Sequence, residues 1–199
     1  MPGQRNVAII LFDEVEVLDF AGPFEVFSVC GRRDGSDPFS VFTVAEKEGS
    51  ISARNGLEVT PAYTLATCPS PDIVVVPGGF GTRALMTNPV VREWLRQVAA
   101  TAELVLSVCT GSLVLAKAGL LDGLEATTHR GALDLLEGVA PETTVRRDAR
   151  VVDNGQIITS AGVSAGIDMS FHVIARLLGE DQARETAAYI EYPWPSESD

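Results

Sequence analysis

Cys109 stands directly between the apolar run 104–108 (LVLSV) and the helical stretch 111–118, in the order Ser107-Val108-Cys109-Thr110-Gly111-Ser112. With no loop residues to spare, the chain must turn sharply and lift the thiol above a sheet edge, the geometry of a nucleophile elbow. The sulfur then faces the first N–H groups of the following helix, which favour thiolate over thiol. A cysteine so placed suits covalent catalysis; the alternative is a small buried apolar residue. Cys30, at the end of the apolar helical stretch 24–29, and Cys68, before a proline in a loop, lack this context and read as structural.

Asp19 is the acid to pair with it. In Leu18-Asp19-Phe20-Ala21-Gly22-Pro23 one carboxylate sits inside an apolar sequence, and burial there demands a hydrogen-bond partner or a chemical role. The competing use is as N-cap of a helix beginning near Pro23, although Gly22 is better placed for that. Glu14 and Glu16 lie in a more polar stretch and read as solvated. Gly78-Gly79 follows the run 73–76 (IVVV) and offers either a tight turn or bare N–H groups that stabilise developing negative charge. His129, in Thr127-Thr128-His129, ends a short strand expected over 125–128 beside the cysteine strand, as a general base or as a structural histidine. His172 falls within a helix and reads as packed or surface-exposed. Gly79-Phe80-Gly81 lacks the third glycine and the acid of a dinucleotide fingerprint, and there is no Walker-type loop.

The elements that must position these groups are visible in the periodicity. Residues 7–11 (VAIIL), 73–76 and 104–108 are apolar runs rich in β-branched residues, the pattern of strands covered on both faces. Residues 89–102 repeat apolar positions at helical spacing behind Asn88 and Pro89, a cap and a first helical residue. Residues 111–118 close on Gly119, which suits a left-handed cap. Residues 52–60 and 150–160 carry Asn-Gly turns and are expected as hairpins added to the main sheet. Two amphipathic helices, 165–178 and 181–190, follow, and the tail around Tyr192 and Trp194 is expected along the surface or a partner subunit. Alternation of strands and helices over residues 1–199 predicts one α/β domain with a mostly parallel sheet and helices on both faces. Ligands of such sheets bind beyond the carboxyl ends of the strands. That rule gathers 12–23, 78–81, 109–111 and 162–166 at one edge.

The 199 residues carry 15 Lys and Arg against 27 Asp and Glu, a net charge of −12. Such a surface repels phosphate backbones and anionic lipid, so neither nucleic acid nor a membrane is expected as a partner. A neutral or cationic small molecule, or another protein, is left open. No apolar run approaches the length of a membrane span, and the apolar start is too short for a signal-peptide core, so the expected location is cytoplasmic. Three cysteines without a CxxC or metal-spaced histidines indicate neither a disulfide framework nor a zinc site.

Together, Val17 through Pro23, Val76-Pro77-Gly78-Gly79, Ser107 through Ser112, Ala126 through His129 and Ala161 through Asp168 resemble the ThiJ/PfpI superfamily. Within it the similarity is nearest to isocyanide hydratases and to sensor domains of AraC-type regulators. The resemblance implies a flavodoxin-like three-layer sandwich, related to class I glutamine amidotransferases, with the added β-hairpins. It implies Cys109 as nucleophile, Asp19 as its acid/base partner, Thr110 as a supporting residue, and backbone near Gly79 and Thr110 holding the polarised substrate atom. Protonated Asp19 would donate as the Cys109 thiolate adds to an isocyanide, then activate water against the thioimidate. Proteases and deglycases of the superfamily usually follow the cysteine with His or Ala and use Glu where this chain has Asp19, which counts against those activities. No metal or organic cofactor is implied; a homodimer is. The alternatives are a small-molecule sensor and a redox or glyoxal-handling protein. Since the sequence stops at Asp199 without a helix-turn-helix segment, a sensor is expected to act through a partner. Pocket size turns on which of Phe20, Phe80, Val163 and Trp194 point inward.

Overall fold

In the computed structural model, which describes residues 3–33 and 35–194, the three apolar runs become adjacent strands. They are β1 (Arg5–Ile10), β6 (Ile73–Val76) and β7 (Leu104–Val108). Between β1 and β6 come α1 (Val17–Val29), β2 (Phe39–Ala45), β3 (Ile51–Ser52), β4 (Glu58–Val59) and β5 (Tyr63–Thr64). Between β6 and β7 come α2 (Thr82–Leu85) and α3 (Pro89–Ala99). After β7 follow α4 (Gly111–Lys117), β8 (Glu125–Ala126), α5 (Leu133–Val139), β9 (Thr144–Val145), β10 (Val151–Asp153), β11 (Ile157–Ser160), α6 (Ala165–Leu178) and α7 (Glu180–Tyr189).

Seven strands form the central sheet in the order β10-β11-β7-β6-β1-β2-β5. All neighbours are parallel except the β10–β11 hairpin. Strand residues alternate between two apolar layers. Val7, Ile9, Val75, Leu104 and Leu106 meet Phe27, Phe171 and Ile174 of α1 and α6. Ala8, Ile10, Val74, Val76 and Val105 meet Val91, Leu95, Leu113 and Leu136 of α3, α4 and α5. Covering both faces requires apolar side chains in both directions, which is why β6 and β7 are buried at every position. The result is the flavodoxin-like three-layer arrangement.

Several local expectations hold. Asn88 caps α3, its side chain accepting from the N–H groups of Val90 at 2.9 Å and Val91 at 3.3 Å, and Gly119 turns left-handed behind α4. Others need correction. The Asn55-Gly56 turn does join two antiparallel strands, but β3 and β4 pair only with each other and not with the main sheet. β8 covers only 125–126 and pairs with β9, so it does not neighbour the cysteine strand. Helix α1 starts at Val17 and runs through Pro23, so Asp19 lies in its first turn and is not its cap. The tail turns back on its own domain as far as it is described. Tyr192 stacks on Phe171 with ring centroids 5.5 Å apart, and Trp194 lies tilted against the same ring at 5.6 Å. Residues 195–199 lie outside the described part.

Candidate active site

Cys109 and Thr110 alone separate β7 from α4, and Cys109 takes up the turn with a left-handed φ of +56°. A side chain in that conformation costs on the order of 1 kcal/mol and persists only where its surroundings over-determine it. Here they do. Its N–H donates to the carbonyls of Ala161 at 3.0 Å and Ser160 at 3.2 Å, at the end of β11. Its carbonyl accepts from the Thr128 hydroxyl at 2.8 Å and the Ser112 hydroxyl at 3.3 Å.

Asp19 is fully buried, and its Oδ2 accepts from the Gly78 N–H at 2.9 Å. Its Oδ1 has no hydrogen-bond partner among the described residues. Burial, with some help from the Glu16 charge, pushes the carboxyl up to about 7, against the pull of the Gly78 N–H and the Cys109 thiol. Glu16 is thus only half-buried but acts on the site, unlike the solvated group expected. Burial pushes the Cys109 thiol up to about 12 as well; the Asp19 charge adds to this, and the N–H groups of Thr110 and Val163 oppose it. Desolvation of Cys109, a residue only 6% exposed, thus outweighs the helix start and favours thiol over the thiolate expected. Carboxyl and thiol titrate as a pair, which holds one proton between about pH 7 and 12.

The two glycines serve this pair from behind. A Cβ on Gly78 would lie 2.6 Å from the Thr110 nitrogen and 2.8 Å from Asp19 Oδ2, so only glycine lets the three groups converge. Gly79, at φ +125°, donates its N–H to the Thr110 hydroxyl at 3.0 Å. The Thr82 hydroxyl donates to the Gly79 carbonyl at 2.8 Å and lies 3.1 Å from the Thr110 hydroxyl. Both glycine N–H groups are therefore already engaged, and the donors turned toward the sulfur are those of Thr110 and Val163. Of the backbone expected to serve the site, the Thr110 N–H faces the sulfur, and Val163 adds a second donor. Val163 adopts a left-handed φ of +49°. Thr82 is not singled out in the sequence, and Val163 is noted there only for its side chain, not for its N–H.

Among the described residues, His129 makes no hydrogen bond to the Cys109 sulfur or to Asp19. Its Nδ1 accepts from the Gly131 N–H at 3.1 Å and its ring lies over Gly162, at the start of the turn Arg130–Ala132. His172 is on the far side of the domain, where Nε2 meets Asp153 at 2.7 Å. Cys30 ends α1 in the core, and Cys68 lies near the Leu65 carbonyl. Phe20 is buried in the core, Trp194 packs on Phe171, and Phe80 is 65% exposed beside Arg54 and Arg83. Among the described residues no group of three or more His, Cys, Asp and Glu is arranged to hold a metal.

The chain as a whole is similar to known proteins. Residues 5–176 match the DJ-1/PfpI family. The chain belongs to the DJ-1/PfpI family. One relative is the isonitrile hydratase of Pseudomonas putida, 36% identical over 187 residues that span 94% of this chain and 78% of the relative. A DJ-1/PfpI-type crystal structure, a ThiJ/PfpI family protein from Pseudomonas syringae, superposes with a TM-score of 0.86 at 30% identity, covering 98% of this chain and 78% of that one. The HTH-type transcriptional regulator GbdR of Pseudomonas aeruginosa is 29% identical over 95% of this chain, which spans 51% of the regulator's length.

Proposed function

We propose that this chain hydrates isocyanides to N-substituted formamides. The observation that carries the reading is the Asp19 carboxyl, fully buried at the first turn of α1 with Oδ1 unpartnered and its titration coupled to the Cys109 thiol. Sulfur forms a bond to the isocyanide carbon while Asp19 takes the thiol proton and returns it to that carbon, giving a thioimidate. Water then adds to the carbon, one of its protons passing through Asp19 to nitrogen. Collapse expels sulfur, which recovers the second water proton, and the formamide leaves. The N–H groups of Thr110 and Val163 steady the sulfur whenever it carries negative charge. Gly78, Gly79 and Thr110 hold the acid and the elbow in register.

Similarity to an isonitrile hydratase over nearly the whole chain supports the same reaction class. The test is incubation with alkyl and aryl isocyanides, following loss of isocyanide and appearance of formamide, with intact-mass detection of the adduct on Cys109. Saturable binding with no turnover would overturn the hydratase and favour a sensor, the reading that the GbdR similarity supports. Turnover of methylglyoxal in place of isocyanides would favour carbonyl chemistry. A cytoplasmic homodimer belongs to the same proposal, and sedimentation reads its assembly. Among the described residues no helix is long and apolar enough to cross a membrane.

A further inference from the structure

Beside the elbow, on the β11 side, a groove of about 340 Å³ runs past Thr128, His129, Arg130, Arg147, Arg150 and Val163. Two of these residues belong to the nucleophile's own surroundings. The Thr128 hydroxyl holds the Cys109 carbonyl, and the Val163 N–H is turned toward the Cys109 sulfur. The groove thus adjoins the residues that hold Cys109, although Cys109 itself, 6% exposed, does not line it.

Its charge runs against that of the molecule. The chain is acidic by 12 charges, yet three of its 15 cationic side chains line this one groove and no carboxylate does. Two of the three are held from outside it. Arg147 pairs with Asp134 and Glu137, and Arg150 with Asp168 and, at 3.2 Å, the Ser164 hydroxyl. Those pairs fix the position of both guanidinium groups. Arg130 is exposed and has no ion pair or side-chain hydrogen bond among the described residues. A guanidinium fork matches a carboxylate in shape and charge, and it gains most where no protein acid competes.

The geometry points to an isocyanide bearing a carboxylate as the substrate class, its reactive carbon at Cys109 and its carboxylate seated in the basic groove by Arg130. This rests on Cys109 being the reacting atom, and it deepens the hydratase reading. For an isocyano acid the reaction consumes one water and yields the N-formyl amino acid, with the carboxylate unchanged throughout.

Two measurements test the charge preference apart from the chemistry. The first compares alkylation of Cys109 by iodoacetate and iodoacetamide, in each of which sulfur displaces iodide and the thiol proton leaves to solvent. The two reagents differ in charge beyond the same reacting carbon. Peptide mapping counts Cys109 separately from Cys30 and Cys68. The expected iodoacetate-to-iodoacetamide rate ratio exceeds that of free cysteine by about tenfold, the factor one charge-assisted hydrogen bond supplies. It falls in Arg130→Gln, falls further in Arg130→Glu, and declines with added salt in the unmodified protein. A ratio equal to that of free cysteine, or one indifferent to salt and to both variants, overturns the proposal.

The second measurement compares kcat/KM for isocyanoacetate and its methyl ester, with the acid expected to be favoured mainly through KM. Equal hydration of acid and ester, without an alkylation preference, keeps the hydratase and overturns the groove's role. An alkylation preference with neither isocyanide hydrated supports the groove and overturns the hydratase.

Discussion

Asp19 is bound to the backbone of Gly78 through one oxygen, at 2.9 Å, while its other oxygen is buried with no hydrogen-bond partner. The acid is therefore anchored without being neutralised. Asp19→Asn keeps an acceptor for the Gly78 N–H but cannot move a proton. Turnover of an isocyanide is expected to fall by at least about a hundredfold, the usual contribution of a positioned acid/base. Steady-state rates of the purified variant check this.

Stability and activity should respond to pH with opposite signs. The folded carboxyl titrates near 7 and the unfolded one near 3.8, so the folded chain holds the extra proton between those values. Stability then falls as pH rises through this window, by up to about 4 kcal/mol. Asp19→Asn should abolish that part of the slope, which denaturant unfolding of both proteins at pH 4.5 and 8 would measure. Turnover needs the pair with a single proton, so kcat/KM should rise with pH through about 7.

Replacing Cys109 separates strain from chemistry. Cys109→Ala and Cys109→Gly should both be inactive. The glycine variant should be more stable than the alanine variant by about 1 kcal/mol, because φ of +56° disfavours any side chain. Thermal or denaturant unfolding of the pair reads the difference directly. Equal stability would mean that the turn is relaxed when the sulfur is gone.

Thr110→Val removes the acceptor of the Gly79 N–H and the partner of the Thr82 hydroxyl. A partly buried N–H left without a partner costs about 1 kcal/mol. Thr110→Ser should recover most of that loss and most of the activity, as unfolding and rate measurements on both variants would show.

The layers and the cysteine at the strand-to-helix elbow were legible in the sequence because their causes act on side chains. Strands covered on both faces need apolar runs, and β6, β1 from Val7 onward and β7 apart from Ser107 supply them. Asp19 stood out because a charge among apolar neighbours needs a reason. Val163 did not, because its contribution is a backbone N–H turned by a left-handed φ, and its side chain says nothing of that. The start of α1 was hidden by Pro23, which reads as a first helical residue but lies inside the helix. The short strands β3 and β8 were placed wrongly because two residues carry too little periodicity to choose a partner strand. The resting state of Cys109 depends on how deeply the sulfur is desolvated, which local order along the chain does not reveal.

Helices α1 and α6 cross where a Cβ on Gly22 would be 2.9 Å from Ile167, and one on Gly166 would be 2.9 Å from Val108 and 3.5 Å from Pro23. α1 carries Asp19 three residues before that crossing, and the loop entering α6 carries Val163 three residues before it. The separation between the acid and one of the two amides facing the sulfur is thus set by how closely two helices pack. A methyl group added at Gly22 or Gly166 would retune the chemistry of Cys109 without touching it.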